Sequence, residues 1–262
     1  MTGSHSLPLV AVDVGNARAK LGRFPAVAGD ALPEPAATLS VAVEGALEEV
    51  AAWLEPAPGV RWWIASVNRP LCTRLLEWLA DRRAGERVVL LSSHDLPLSV
   101  AVPRPDMVGI DRLLDAVAVN RLRPAGQPAV IVDAGTAITV DAVSADGTFL
   151  GGAITPGIGA ISRAMHEFTD LLPLVELDER DGPPPPLGTA TESALRSGFY
   201  WGAVGAVREV ITRFAAEGLT DPAVFITGGA GRFLARGLES GTWLPHLTLA
   251  GIALTAAHLG TP

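Results

Sequence analysis

Two stretches of this chain place a carboxylate where phosphate chemistry needs one. "VAVDVGNARAKLGRF" and "VIVDAGTAITVDAV" each run from an apolar strand through Asp-x-Gly and a polar residue into a second strand. Their aspartates, Asp13 and Asp133, are 120 positions apart. A glycine in such a turn lets backbone N–H groups approach an anion, and a strand-end carboxylate can hold a hydrated metal ion that bridges phosphates. One copy alone reads first as an ordinary Asp-x-Gly hairpin turn. Two copies at equivalent points favour a duplicated domain, whose loops could grip a nucleotide triphosphate across an interdomain cleft. Neither G-x-x-x-x-G-K-[ST] nor a post-strand G-x-G-x-x-G occurs, so a nucleotide would need another device.

A third candidate is "MVGIDRLLDAV", where Asp111 and Arg112 follow a glycine at the start of an apolar-periodic helix. Asp111 reads either as an N-terminal helix cap or as the carboxylate that accepts a hydroxyl proton during phosphoryl transfer. In the second reading Arg112 steadies substrate or phosphate charge. "GGAITPGIGA" and "TGGAGRFL" add glycines at strand-to-helix junctions, suited to tight packing or, in the second, to seating an adenosine near a helix N-terminus. His5, His94, His166, His246 and His258 show no metal-ligand spacing, and no Gly-x-Ser-x-Gly elbow supports a hydrolase.

The elements that must position these residues follow from pattern. Strands are expected over 7–12, 17–24, 37–43, 61–67 and 87–92, the last two buried, with helices over 44–54 and 71–83. The second half repeats the plan. Paired strands flank Asp133, a third covers "TFLGGAITPG", and a helix follows over 158–168. A long helix runs from Thr191 to Ala216, then come the strand "AVFIT", a Gly-Gly turn and another helix. The proline run at 181–186 is a loop. The fold class is α/β: two duplicated domains of mixed sheets flanked by helices, 1–114 and 115–262, with the boundary near the helix over 111–122.

Composition narrows the partners. With 262 residues, 48% of them hydrophobic and 18% charged, the chain can bury a sizeable core. A net charge of −8 argues against a general nucleic-acid binder. The lone cysteine, Cys72, forms no internal disulfide and reads as a small packed residue. The N-terminus lacks a secretory pattern, and the apolar stretch "LTLAGIALTAAHL" over 247–259 is shorter than the roughly 20 residues a bilayer requires. The expectation is a cytoplasmic protein with no membrane partner.

Taken together, "DVGN", "GIDR", "DAGTAITVD", "GGAITPG", "LGTATESALRSGFYWG" and "TGG" resemble, in order and spacing, the type III pantothenate kinases of the acetate kinase/sugar kinase/Hsp70/actin superfamily. That resemblance implies two ribonuclease H-like domains and transfer of the ATP γ-phosphate to the 4′-hydroxyl of pantothenate, the first step of coenzyme A synthesis. It implies that Asp13, Val14, Gly15, Asn16, Ala17, Arg18, Ala19 and Lys20 wrap the ATP phosphates, with Asp13 near Mg²⁺ and Thr136 touching ATP. Gly109, Ile110, Asp111 and Arg112 would meet pantothenate, with Asp111 as proton acceptor, and Val102 stands at a further pantothenate contact. Asp133 would help hold a monovalent cation, K⁺ or NH₄⁺. Thr191 would reach pantothenate in a neighbouring subunit, implying a homodimer with sites completed across the interface. Two positions depart from the family pattern: Ala17 replaces a hydroxyl residue and Val102 a tyrosine. The alternative they leave is a catalytically weak or inactive nucleotide-binding relative.

Overall fold

The computed structural model describes residues 7–25, 27, 29, 31–42, 47–54 and 59–260. Two five-stranded sheets of the same topology make up its frame. The first comprises β1 (Leu9–Val14), β2 (Arg18–Phe24), β3 (Ala37–Ala42), β4 (Arg61–Ser66) and β5 (Arg87–Leu90), in the order β3-β2-β1-β4-β5. The second comprises β6 (Ala129–Ala134), β7 (Ala137–Val143), β8 (Phe149–Pro156), β9 (Ala223–Thr227) and β10 (Thr242–Trp243), in the order β10-β9-β6-β7-β8. In both, the first three strands form an antiparallel meander and the last two lie parallel to the first. β1 therefore corresponds to β6, and Asp13 to Asp133.

The helices are α1 (Leu47–Leu54), α2 (Arg69–Arg82), α3 (Ile110–Leu122), α4 (Ile158–Glu167), α5 (Thr191–Ala216), α6 (Gly231–Ala235) and α7 (Leu247–His258). α2 starts where local chemistry dictates: the Asn68 side chain accepts the Leu71 N–H at 3.1 Å, and Pro70 takes a first-turn position that needs no donor. Alternation on the strands builds the cores. Val10, Val12, Val14, Trp62 and Ile64 point into one cluster with Leu71, Leu75 and Leu79 of α2. Val130, Val132, Val140 and Ile226 do the same with Phe199, Tyr200 and Val204 of α5.

By spatial clustering the chain forms two compact units. The first takes in residues up to Leu98, Pro103–Leu122 and His246 onward; the second takes in Ser99–Val102 and Arg123–Pro245. A boundary at 114/115 would fall inside α3, whereas α3 packs along its length with α7 in the first unit. The C-terminal helix thus returns to the N-terminal sheet, contacting β1, β2 and β4 as well as α3. Leu247 to Ala256 are all buried. A helix apolar on every side belongs inside a core, which explains a stretch with little amphipathic period.

Two expectations change, and one falls partly outside the described residues. The first strand runs two residues beyond Val12, so Asp13 and Val14 are paired in the ladder rather than lying past its tip. β5 is an edge strand with Val88 and Leu90 exposed, not a buried one, because among the described residues no strand pairs with its outer side. The helix expected from residue 44 is seen from Leu47, the residues before it lying outside those described. The proline run lies outside regular structure beyond Asp181, as its chemistry requires. Among the described residues no helix is long and apolar enough to cross a membrane.

Candidate active site

In the first unit, Asp13 of β1 stands opposite Lys20 of β2 and beside Ala65 of β4. Opposite charges at paired positions stabilise such a hairpin modestly, by about 0.2–1 kcal/mol. Between them the turn closes through the Gly15 N–H, which donates to Arg18 O at 3.0 Å. A Cβ at Gly15 would stand 3.1 Å from that same carbonyl, so a larger residue would crowd the turn. Asn16, Ala17 and Arg18 are exposed, and Arg18 Nε donates to Ser40 Oγ at 2.9 Å, tying the loop to β3. The loop is thus open to a ligand on one side and fixed to the sheet on the other.

The second unit builds the same turn. Asp133 stands opposite Thr139 of β7 and beside Thr227 of β9, and the Gly135 N–H donates to Ala137 O at 2.9 Å. Thr136 is exposed, while its carbonyl accepts the Gly157 N–H at 3.0 Å, fastening the loop to the start of α4. A Cβ on Gly157 would lie 2.3 Å from Gly135 O. Gly228, with φ +90°, closes over the end of β6, where a Cβ would meet Asp133 Oδ1 at 2.3 Å. Only glycine fits there, so the "TGG" turn and Asp133 form one local unit.

Asp111 is the second residue of α3, which begins at Ile110, so it does not occupy the cap position itself. Its Oδ1 accepts the Arg112 N–H at 2.8 Å. Gly109 makes room for that carboxylate, since a Cβ there would lie 2.5 Å from Asp111 Oδ1. Burial pushes the Asp111 carboxyl above its ordinary range, opposed by the Arg112 N–H, the Arg112 charge and the Lys20 ammonium. Lys20 and Asp111 therefore share one electrostatic environment within the first unit. A partly desolvated carboxylate next to cations is a sound proton acceptor at neutral pH.

The other residues singled out from sequence lie in the second unit. Val102 belongs to a short segment clipped to the edge of β8, where the Ala101 N–H donates to Phe149 O at 2.9 Å. Thr191 is the exposed first residue of α5. The turn before it is held by the Ser193 hydroxyl, which accepts the Thr189 and Ala190 N–H groups at 3.1 and 3.0 Å. Sequence reasoning missed a cavity of about 300 Å³ between α4, residues 174–177 and α6, lined by Ile158, Gly159, Ser162, Val175, Ala230 and Phe233. Its wall is the 174–177 segment, held to α4 where Ser162 Oγ donates to Val175 O and accepts the Val175 N–H at 3.2 Å. Side-chain-to-backbone ties of this kind leave no periodic trace.

Among the described residues no group of three or more His, Cys, Asp and Glu side chains is placed to hold a metal ion. Mg²⁺ keeps several waters and takes one or two carboxylates plus substrate phosphates, and a single strand-end carboxylate such as Asp13 fits that chemistry.

Duplicated β-meander sheets with paired Asp-x-Gly turns define the sugar-kinase and actin-like ATPase class of fold. Among solved structures, a conserved putative Baf family transcriptional activator from Campylobacter jejuni superposes with a TM-score of 0.63 at 19% identity, covering 95% of this chain and 98% of that one. A putative 2-dehydro-3-deoxygalactonokinase from Sinorhizobium meliloti gives 0.55 at 16% identity, with 96% of each chain covered. Residues 9–213 match the type III pantothenate kinase family. The type III pantothenate kinase of Dehalococcoides mccartyi strain 195 is 32% identical over 94% of this chain and 96% of its own length. That of Agathobacter rectalis is 36% identical, with the match spanning 60% of this chain and 59% of the relative. The chain belongs to the type III pantothenate kinase family.

The close fit of Gly109 to Asp111 leads to a direct expectation. Gly109→Ala should displace the carboxylate and lower kcat about tenfold or more, while circular dichroism and melting temperature stay near wild type. Unchanged kcat would show that the carboxylate's placement does not matter.

Proposed function

We propose that the protein transfers the γ-phosphate of ATP to the 4′-hydroxyl of pantothenate. The observation that carries this reading is Asp111, a carboxylate raised by burial at the start of α3 and within the field of Lys20 from the phosphate-type loop. Asp111 orients the attacking hydroxyl and takes its proton. Arg112 and Lys20 supply positive charge where the anionic substrate and the transferring phosphate gather. Because such transition states are mostly loose, placement contributes more than base strength.

The Asp13–Lys20 loop holds the phosphates, with Thr136 as a further ATP contact. Adenosine rests against the Gly228-Gly229 turn. Asp13 holds Mg²⁺, which when bound neutralises phosphate charge. Asp133 holds the monovalent cation, K⁺ or NH₄⁺. Thr139 Oγ1, across the ladder from Asp133, is buried with no hydrogen-bond partner among the described residues, and such an oxygen fits a cation's need for neutral ligands.

The pH dependence has a defined sign. An acceptor must be ionised, so kcat/KM should fall as pH drops through the raised Asp111 pKa, giving an acid limb above the ordinary aspartate value of about 3.9. The same raised pKa means that burial of this carboxylate costs stability above it, a cost relieved as pH falls through it. Asp111→Asn should therefore fold at least as stably at neutral pH while losing about two to four orders of magnitude in kcat. Near-normal turnover in that variant, measured by a coupled ADP assay, would remove Asp111 from this role. In the same assay K⁺ replaced by Na⁺ should slow the wild type, and indifference to the exchange would count against a cation at Asp133.

We further propose a homodimer in which the partner subunit's Thr191 contacts pantothenate. Its support is apolar exposure after α4 and ahead of α5: Phe168, Leu171 and Leu187 are 81%, 86% and 80% exposed. Where exposed apolar side chains form one patch, the patch marks an interaction surface. Light scattering should give twice the 27.2 kDa chain mass. Leu171→Glu should yield a monomer with raised KM for pantothenate and little change for ATP. A wild-type monomer with full activity would contradict the dimer.

A further inference from the structure

A buried side-chain hydrogen bond joins α3 to α7. Thr248 Oγ1 donates to Asp115 Oδ1 at 2.8 Å, across 133 positions of sequence. Asp115 is 1% exposed and Thr248 7%. Polar groups in such surroundings cost free energy unless they are hydrogen-bonded, and a buried carboxylate costs more than most. The contact is therefore directional, whereas the leucine, valine and alanine packing around it is not.

Its place in the fold gives the direction a use. Asp115 follows Asp111 by four positions, one turn along α3, where the backbone N–H of the later residue bonds to the carbonyl of the earlier. Next to it the helices touch backbone to backbone: a Cβ on Gly251 would lie 2.1 Å from Leu114 O. Glycine contact sets the separation of the helices, and the Thr248–Asp115 bond sets their rotation and register. α7 in turn lies on β1 and β2, the strands that carry Asp13 and Lys20, and Leu249 reaches to within 3.1 Å of where a Cβ on Gly22 would stand.

We infer that Thr248 and Asp115 are positioning residues for the phosphoryl-transfer reaction. Through them α7 holds the first turn of α3, with Asp111 and Arg112, at a fixed rotation relative to the Asp13–Lys20 loop. The inference rests on the assignment of Asp111 as proton acceptor. Misplacement by a fraction of an ångström is felt in turnover more than in binding, because near-attack geometry is what the helix supplies. The family match ends at residue 213, so α7 acts from outside the matched segment.

The test compares Thr248→Val, which keeps the shape and removes the hydroxyl, with Thr248→Ser, which keeps the hydroxyl. Rates are expressed per folded molecule, from circular dichroism and active protein concentration. Thr248→Val should lower kcat about tenfold with KM for ATP within twofold of wild type, and Thr248→Ser should restore kcat to within twofold. Asp115→Asn, which retains an oxygen acceptor for Thr248, should keep kcat within threefold. A Thr248→Val enzyme with kcat within twofold of wild type, or an equal loss in Thr248→Ser, overturns the inference. If Thr248→Val does not fold, Thr248→Ala is read by the same criteria. Should Asp111→Asn retain turnover, the underlying assignment fails, whatever Thr248 does.

Discussion

Burial of α7 is the constraint on which the first unit depends. The last helix of the chain is apolar on every face and packs against β1, β2 and β4 on one side and α3 on another. Those elements carry Asp13, Lys20, Asp111 and Arg112. The helix is thus a shared floor beneath the Asp13–Lys20 hairpin and the start of α3, where the proposed proton acceptor Asp111 lies. Gly251 lets it approach the α3 backbone closely, and Asp115 with Thr248 gives that approach one orientation.

Duplication supplies the second constraint. The two sheets have equivalent strand order, and their Asp-x-Gly turns close through the same glycine-to-carbonyl hydrogen bond, at 3.0 Å in one and 2.9 Å in the other. The copies have diverged around that shared geometry. Asp13 faces a lysine across its hairpin, where Asp133 faces a threonine whose hydroxyl is buried. Both differences fit the roles proposed for the two loops, lysine toward phosphate oxygens and a neutral oxygen beside a carboxylate toward a cation.

Much of this was legible in the sequence, and for physical reasons. Turn glycines, strand-end aspartates and the Asn-Arg-Pro start of α2 act locally, so both hairpins and most helices could be placed from residue types alone. What escaped notice was tertiary. The exposure of β5 depends on its lying at an edge, which an apolar run does not reveal. Assignment of α3 and α7 to one unit depends on packing across more than a hundred residues. Asp115 and Thr248 did leave a trace, as polar residues inside the apolar stretches "LLDAVAV" and "LTLAGIALTAA", but only their meeting gives that trace a meaning. The cavity beside α4 left none, because backbone groups of residues 174–177 build its wall.

The account stands or falls on the reaction itself. Phosphorus NMR of the purified protein with ATP, Mg²⁺, K⁺ and pantothenate reads product and donor together. The account predicts a phosphomonoester signal from 4′-phosphopantothenate growing in step with ADP, and neither without pantothenate. ATP left intact, or ADP formed with inorganic phosphate and no phosphomonoester, would contradict it.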